Sequence, residues 1–146
     1  MTKITRQKIF EKLQLLDEYI SHLKQLKKET TSKKKFLEDF HFYGLAERYL
    51  QLSCQTVIDT LQMLIIEMEM PKPESGEEIV SFLREKSVLS RELSSRLSGV
   101  VGFRNILVHE YGRIDRKRIY QYLMDRLDDF EIFKKEILRL IKISLV

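Results

Sequence analysis

Only two prolines and five glycines occur among the 146 residues, too few turn formers for the repeated reversals of an all-β chain. Leu, Ile, Lys, Glu and Arg dominate instead, a balance that favours helices, so an all-α fold is expected. The one cysteine, Cys54, excludes an intramolecular disulfide framework. It stands in a largely apolar helical segment with only Arg48 near it in sequence. It therefore reads as a small buried hydrophobe, because a reactive thiol wants a local imidazole or cation. Long hydrophobic runs are also lacking: Met63-Leu64-Ile65-Ile66 is far short of the roughly 20 residues that span a bilayer. The stretch Met1 to Lys8 is followed by charged residues throughout, not by the apolar core of a secretion signal. A cytoplasmic protein without membrane contact is expected. Nor is there a strong excess of one charge, since 26 basic residues face 22 acidic ones for a net charge of +4. Where the charge lies then matters more than how much there is.

What is present is helical periodicity. A chain of 146 residues can close one core, and a single domain over residues 1–146 is the default. Ile9, Leu13, Leu16, Ile20 and Leu23 alternate steps of four and three, which gathers them on one stripe of a helix from about residue 3 to 28. Thr30-Thr31-Ser32 supplies N-cap oxygens for the next helix. That helix runs from Phe36 to Met70, with Gly44 as a point where it bends or splits, and ends at Pro71-Lys72-Pro73, where the missing N–H stops a helix. Leu45, Tyr49, Leu52, Thr56 and Met63 mark one of its stripes, and Leu50, Val57, Leu61 and Leu64 another. Ser75 with Glu78 forms a capping-box pattern that opens a third, shorter helix. Ser90 caps a fourth, which Gly112 ends, and Asp115 caps a last one carrying Ile119, Leu123, Leu127, Phe130, Phe133, Ile137 and Leu140. Short connections favour antiparallel neighbours, so the expected architecture is an up-and-down four-helix bundle with an additional short helix.

Two basic clusters stand out, Lys24 to Lys35 and Arg113, Arg116, Lys117 and Arg118. The first reads as a solvated face. The second follows directly on a polar octet and is placed to contact RNA or a protein partner. His22 and His41 lack the partner spacing of a metal site and read as surface residues, and Met63, Met68 and Met70 as core or interface filling. No metal and no cofactor is expected.

The octet is Arg104-Asn105-Ile106-Leu107-Val108-His109-Glu110-Tyr111. On a helix, Asn105 and His109 form an i, i+4 pair, and Arg104 lies on the adjacent face, long enough to reach across. Ile106, Leu107 and Val108 are the packing that would fix this helix in the core. Arginine binds phosphodiester oxygens with a planar fork, and histidine takes or delivers a proton near neutral pH. On RNA no metal is needed, because the 2′-hydroxyl attacks its own phosphorus once a base removes its proton, and Arg104 can stabilise the charge that builds on the phosphoryl oxygens. The bland alternative is a histidine that does no more than complement the C-terminal end of a helix dipole.

The octet fits R-x4-H-x-Y, preceded by Gly102-Phe103, and it resembles the motif of HepT toxins in the HEPN ribonuclease superfamily. Ala46-Glu47-Arg48-Tyr49-Leu50-Gln51, Ile58-Asp59, Tyr120-Gln121-Tyr122-Leu123 and Arg126-Leu127-Asp128-Asp129-Phe130 extend the resemblance over nearly the whole chain. It implies a helical bundle that forms a homodimer, with Arg104 and His109 of both copies near a cleft. It also implies RNA as substrate and a minimal nucleotidyltransferase antitoxin as partner, which silences the toxin by adding AMP to Tyr111. Asn105 would position substrate. Glu47 and Arg48 would line or brace the cleft, or else form an ordinary ion pair inside the bundle. The alternative carried with this reading is a non-catalytic HEPN-fold protein that docks the nucleotidyltransferase and is modified by it.

Overall fold

The structure, a computed structural model, describes residues 1–109 and 115–143. Among them are seven helices and no strand: α1 (Lys3–Glu29), α2 (Lys33–Glu38), α3 (Phe40–Glu67), α4 (Gly76–Glu85), α5 (Arg91–His109), α6 (Arg116–Asp125) and α7 (Asp128–Ile143). The all-α expectation is met. None of these helices is long and apolar enough to cross a membrane.

α1 and α3 form the most extensive helix pairing, and they run antiparallel. Thr5 at the start of α1 donates to Glu67 at the end of α3 (2.9 Å), Lys12 pairs with Asp59 (3.6 Å), and His22 stacks on Tyr49 (4.8 Å between ring centres). α7 lies antiparallel to α1 through Asp17–Lys134 and Lys24–Glu131, and antiparallel to α5 through Ser90–Glu136 and Arg96–Asp129. The expected α1 stripe Ile9, Leu13, Leu16, Ile20, Leu23 is buried, together with Leu50, Val57, Leu61 and Leu64 of α3 and Phe130, Phe133 and Ile137 of α7. The other stripe expected on α3 is only partly inside: Thr56 is buried, Tyr49, Leu52 and Met63 are half-buried, and Leu45 is exposed.

Local capping explains most helix starts. The side chains of Ser32, Ser75 and Asp115 accept from Lys35 N, Glu78 N and Lys117 N, and Ser90 Oγ accepts from Leu93 N at 3.1 Å. The capping box at Ser75 is shifted by one residue, since Glu78 returns its carboxylate to the backbone N–H of Glu74 (2.6 Å). Gly76 is required by close approach: a Cβ there would lie 2.7 Å from Val101 Cγ1, so α4 sits directly against the helix that carries the octet.

Two expected helices are divided. The second breaks at Asp39, whose side chain accepts from His41 N and starts α3, while Gly44 continues inside α3. The last breaks after Asp125, where the carboxylate of Asp129, 1% exposed, is held by Arg96 of α5 at 3.0 Å and by Arg126 at 3.0 Å. This clamp turns the chain and ties α7 to α5. The early lysines are exposed, as expected of a solvated face, and several of them also make contacts. Lys24 pairs with Glu131 (2.7 Å), Lys27 donates to the Met124 carbonyl (2.7 Å), and Lys33 and Lys35 lie over the rings of Tyr120 and Phe42.

Candidate active site

α5 carries Arg104, Asn105 and His109 through the bundle and places them differently. Arg104 turns towards α3, where its Nε and Nη2 both donate to Gln55 Oε1 at 3.2 Å. Its Nη1 reaches back to Asn105 Oδ1 at 3.4 Å, and Asn105 Nδ2 donates to Glu77 Oε1 of α4 at 3.3 Å. On the other side Gln55 Nε2 donates to Asp59 Oδ1 at 2.8 Å, and Asp59 faces Lys12 of α1. A chain of polar contacts thus runs Lys12–Asp59–Gln55–Arg104–Asn105–Glu77 across four helices. It fixes the guanidinium while leaving Arg104 half-buried, with access to solvent.

His109 is exposed as the last described residue of α5. Residues five apart on a helix are about 140° apart around its axis, so the two groups do not share a face. Arg104 and Asn105 are thus joined directly, while among the described residues no hydrogen bond brings the imidazole into that pair. Leu107 is buried and Ile106 half-buried as expected, but Val108 is 40% exposed and is not core. It leaves an apolar side chain in solvent beside the histidine.

Of the supporting residues, Glu47 is half-buried and Arg48 is exposed, its Nη1 donating to Gln51 Oε1 at 3.4 Å. They do not reach Arg104, and they are not joined as an ion pair. They begin the polar line Arg48, Gln51, Gln55, Asp59 that runs along α3 to the guanidinium. Sequence reasoning missed Gln55 and Glu77, although that line at helical spacing in an otherwise apolar helix is itself a signal. In the second basic cluster, Arg116 is structural: its guanidinium lies 3.9 Å from the centre of the Tyr43 ring and donates to the Leu37 carbonyl at 3.1 Å. This stacking pins the start of α6 to α2 and α3, and Arg116 stays exposed, as Lys117 and Arg118 do. Tyr111 and Arg113, as well as the helix end expected at Gly112, lie outside the described residues.

Cys54 lies wholly inside the core. Burial pushes its thiol well above the ordinary range, outweighing the opposing pull of the Arg104 charge. It stays a neutral thiol, as the sequence reading expected. Among the described residues no group of three or more His, Cys, Asp or Glu side chains is arranged to hold a metal ion.

The seven helices of the described residues, with an octet helix that presents an anchored arginine and an exposed histidine, have the fold and the motif of a HEPN protein. The chain belongs to the ribonuclease HepT-like family, whose model matches residues 16–137. It is 30% identical over 137 residues to a tRNA nuclease HepT of Aphanizomenon flos-aquae, covering 94% of this chain and 92% of that protein. It is 28% identical over 98 residues to an mRNA nuclease HepT of Shewanella oneidensis, covering 67% of this chain and 74% of that protein. The tri-AMPylated Shewanella oneidensis HEPN toxin, solved in complex with its MNT antitoxin, superposes with a TM-score of 0.79 at 24% identity, covering 95% of this chain and 99% of that one.

Proposed function

We propose that this chain is the toxin of a toxin–antitoxin pair and cuts RNA without a metal, with Arg104 and His109 as its catalytic residues. The observation that carries the reading is the forked hydrogen bond from Arg104 to Gln55, which holds a half-buried guanidinium ready on the same helix as an exposed imidazole. His109 takes the proton from a ribose 2′-hydroxyl. The 2′-oxygen attacks the adjacent phosphorus and the bond to the 5′-oxygen breaks, that oxygen taking a proton from water, while Arg104 stabilises the charge on the phosphoryl oxygens. The products are a 2′,3′-cyclic phosphate, or its hydrolysis product, and a 5′-hydroxyl. Asn105 positions the scissile group.

Because Arg104 and His109 point to different sides of α5, a homodimer completes the site by bringing the histidine of one copy to the arginine of the other. The exposed Val108 beside His109 supports an apolar interface there. The one domain spans residues 1–146 and works in the cytoplasm. Its partner is a minimal nucleotidyltransferase that adds AMP to Tyr111, next but one to His109, and so blocks access to the pair. Lys117 and Arg118 help to hold RNA or that partner. The test is incubation of the pure, unmodified protein with total RNA in excess EDTA. Fragments ending in cyclic phosphate are expected. Intact RNA would leave the alternative of a bundle that only docks the nucleotidyltransferase.

Gln55 is the positioning residue in this scheme. Gln55→Leu keeps the volume but removes the acceptor of two guanidinium N–H groups. A displacement of about 1 Å costs on the order of a hundredfold in rate, so kcat should fall ten- to a hundredfold. Affinity for RNA, measured in the same variant, should stay within about twofold. Unchanged kcat would remove Gln55 from the mechanism.

A further inference from the structure

Two adjoining hollows of about 840 Å³ and 460 Å³ run along the surface where α4 meets α5 and α7, and they share Ser81, Arg84 and Arg91. Arg139 of α7 lines the outer hollow, and Glu77 lines the inner one. Glu77 is also the residue that accepts from Asn105. The depression therefore leads from the outer edge of α7 to the residue beside Arg104.

Its arginines differ from the others described except Arg118, which is likewise exposed and without a side-chain partner among the described residues. Arg96 and Arg126 are spent on Asp129, Arg104 on Gln55, Arg116 on Tyr43 and Leu37, and Arg48 on Gln51. Arg84, Arg91 and Arg139 are exposed and have no salt bridge or hydrogen bond among the described residues. Glu77, Glu85 and Glu136 also line the hollows and keep their charges. Glu136 is drawn to Ser90 at 2.6 and 2.9 Å and Glu77 to Asn105, and none of the three is in ion-pair contact with these arginines among the described residues. Three free guanidinium forks beside serine hydroxyls suit a run of phosphates, which each fork can bind through two oxygens. Aromatic anchors, the usual energetic centre of a protein–protein contact, do not line these hollows.

We propose that this depression is a track for the phosphate backbone of single-stranded RNA, with Arg139, Arg84 and Arg91 as its phosphate contacts, leading substrate to Arg104. The proposal rests on the nuclease reading for its direction, but not for the binding itself. Arg91 and Arg104 are 13 positions apart on α5, about 20 Å along the helix. A stacked strand at about 3.4 Å per nucleotide covers that in about six nucleotides.

The test measures binding of a fluorescent twelve-nucleotide RNA to the full chain carrying His109→Ala, with and without R84Q, R91Q and R139Q together, over a range of salt. The triple variant should bind at least about tenfold more weakly at low salt. Its log–log salt slope should be shallower by about 2, near 0.7 for each lost phosphate contact. Lys8→Gln, an exposed lysine of α1 away from both hollows, should leave the slope as it is. Since the three arginines support no other residue, the triple variant should melt with the parent. Unchanged affinity and slope would overturn the track. Loss of binding to the nucleotidyltransferase with RNA binding intact would overturn it too, by giving the surface to an acidic protein. Failure of the nuclease reading looks different: the chain with His109 intact then binds the RNA, in an arginine-dependent way, and does not cut it.

Discussion

His109→Ala should lower RNA cleavage by about 10²- to 10⁴-fold, the usual share of a positioned general acid or base. The bundle should stay intact, because the imidazole is exposed at the end of α5 and has no hydrogen-bond partner among the described residues. Denaturation midpoints of the variant and the parent should agree to about 0.5 kcal/mol, as for most surface substitutions. Arg104→Ala should cost about 10²- to 10³-fold. Arg104→Lys should recover little of that loss, since Gln55 Oε1 is bound by Nε and Nη2 together, and an ammonium cannot reproduce a fork. Combining Arg104→Ala with His109→Ala should add far less than the product of the two losses, because residues that act as one unit are not additive. The measurement is single-turnover cleavage of one labelled RNA, with the ends of the fragments identified. Cleavage by His109→Ala within about threefold of the parent would refute the catalytic assignment.

The second large effect concerns stability. Asp129→Ala should destabilise the protein by about 3 kcal/mol, at the lower end of the range for removing one partner of a buried ion pair. The carboxylate is almost wholly buried and is held at 3.0 Å by both Arg96 and Arg126, whose side chains are 33% and 45% exposed. On its removal these guanidiniums can turn to water, so no charge is stranded. What disappears is two charge-assisted hydrogen bonds, each worth about 1.5–3 kcal/mol, and the tie between α5 and α7. In urea this moves the midpoint down by about 1–3 M. A loss below about 1 kcal/mol would mean that the clamp is not needed for the turn between α6 and α7.

Which features were legible in the sequence depended on how local their cause is. Ser32, Ser75, Ser90 and Asp115 cap helices by bonding amides two or three residues away, and each was readable from its own neighbourhood. The stripe of α1 was equally plain. Gly44 misled, because glycine in a helix costs only about 1 kcal/mol against alanine, and the packing of α3 outweighs that, whereas Asp39 next to Phe40 supplied an actual cap. The break after Asp125 depends on Arg96, 33 positions before its partner Asp129, a relation without periodicity. Likewise the octet announced Arg104, but its anchor Gln55 lies 49 positions away. The angle between them around the helix also accounts for the lack of a hydrogen bond between the motif's arginine and histidine among the described residues.

The chain of contacts from Lys12 to Glu77 has a consequence for timing. Its supports are made first: α1, α3 and α4 all precede α5 in the order of synthesis. α5 itself is clamped by Asp129 and capped by Glu136, both of α7, which follows it in the chain. Since chains emerge N-terminus first, α5 leaves the ribosome with Gln55 and Glu77 already made, whereas its ties to α7 form later. A nascent or truncated chain that lacks α7 should therefore carry the motif on a helix without that clamp and cap.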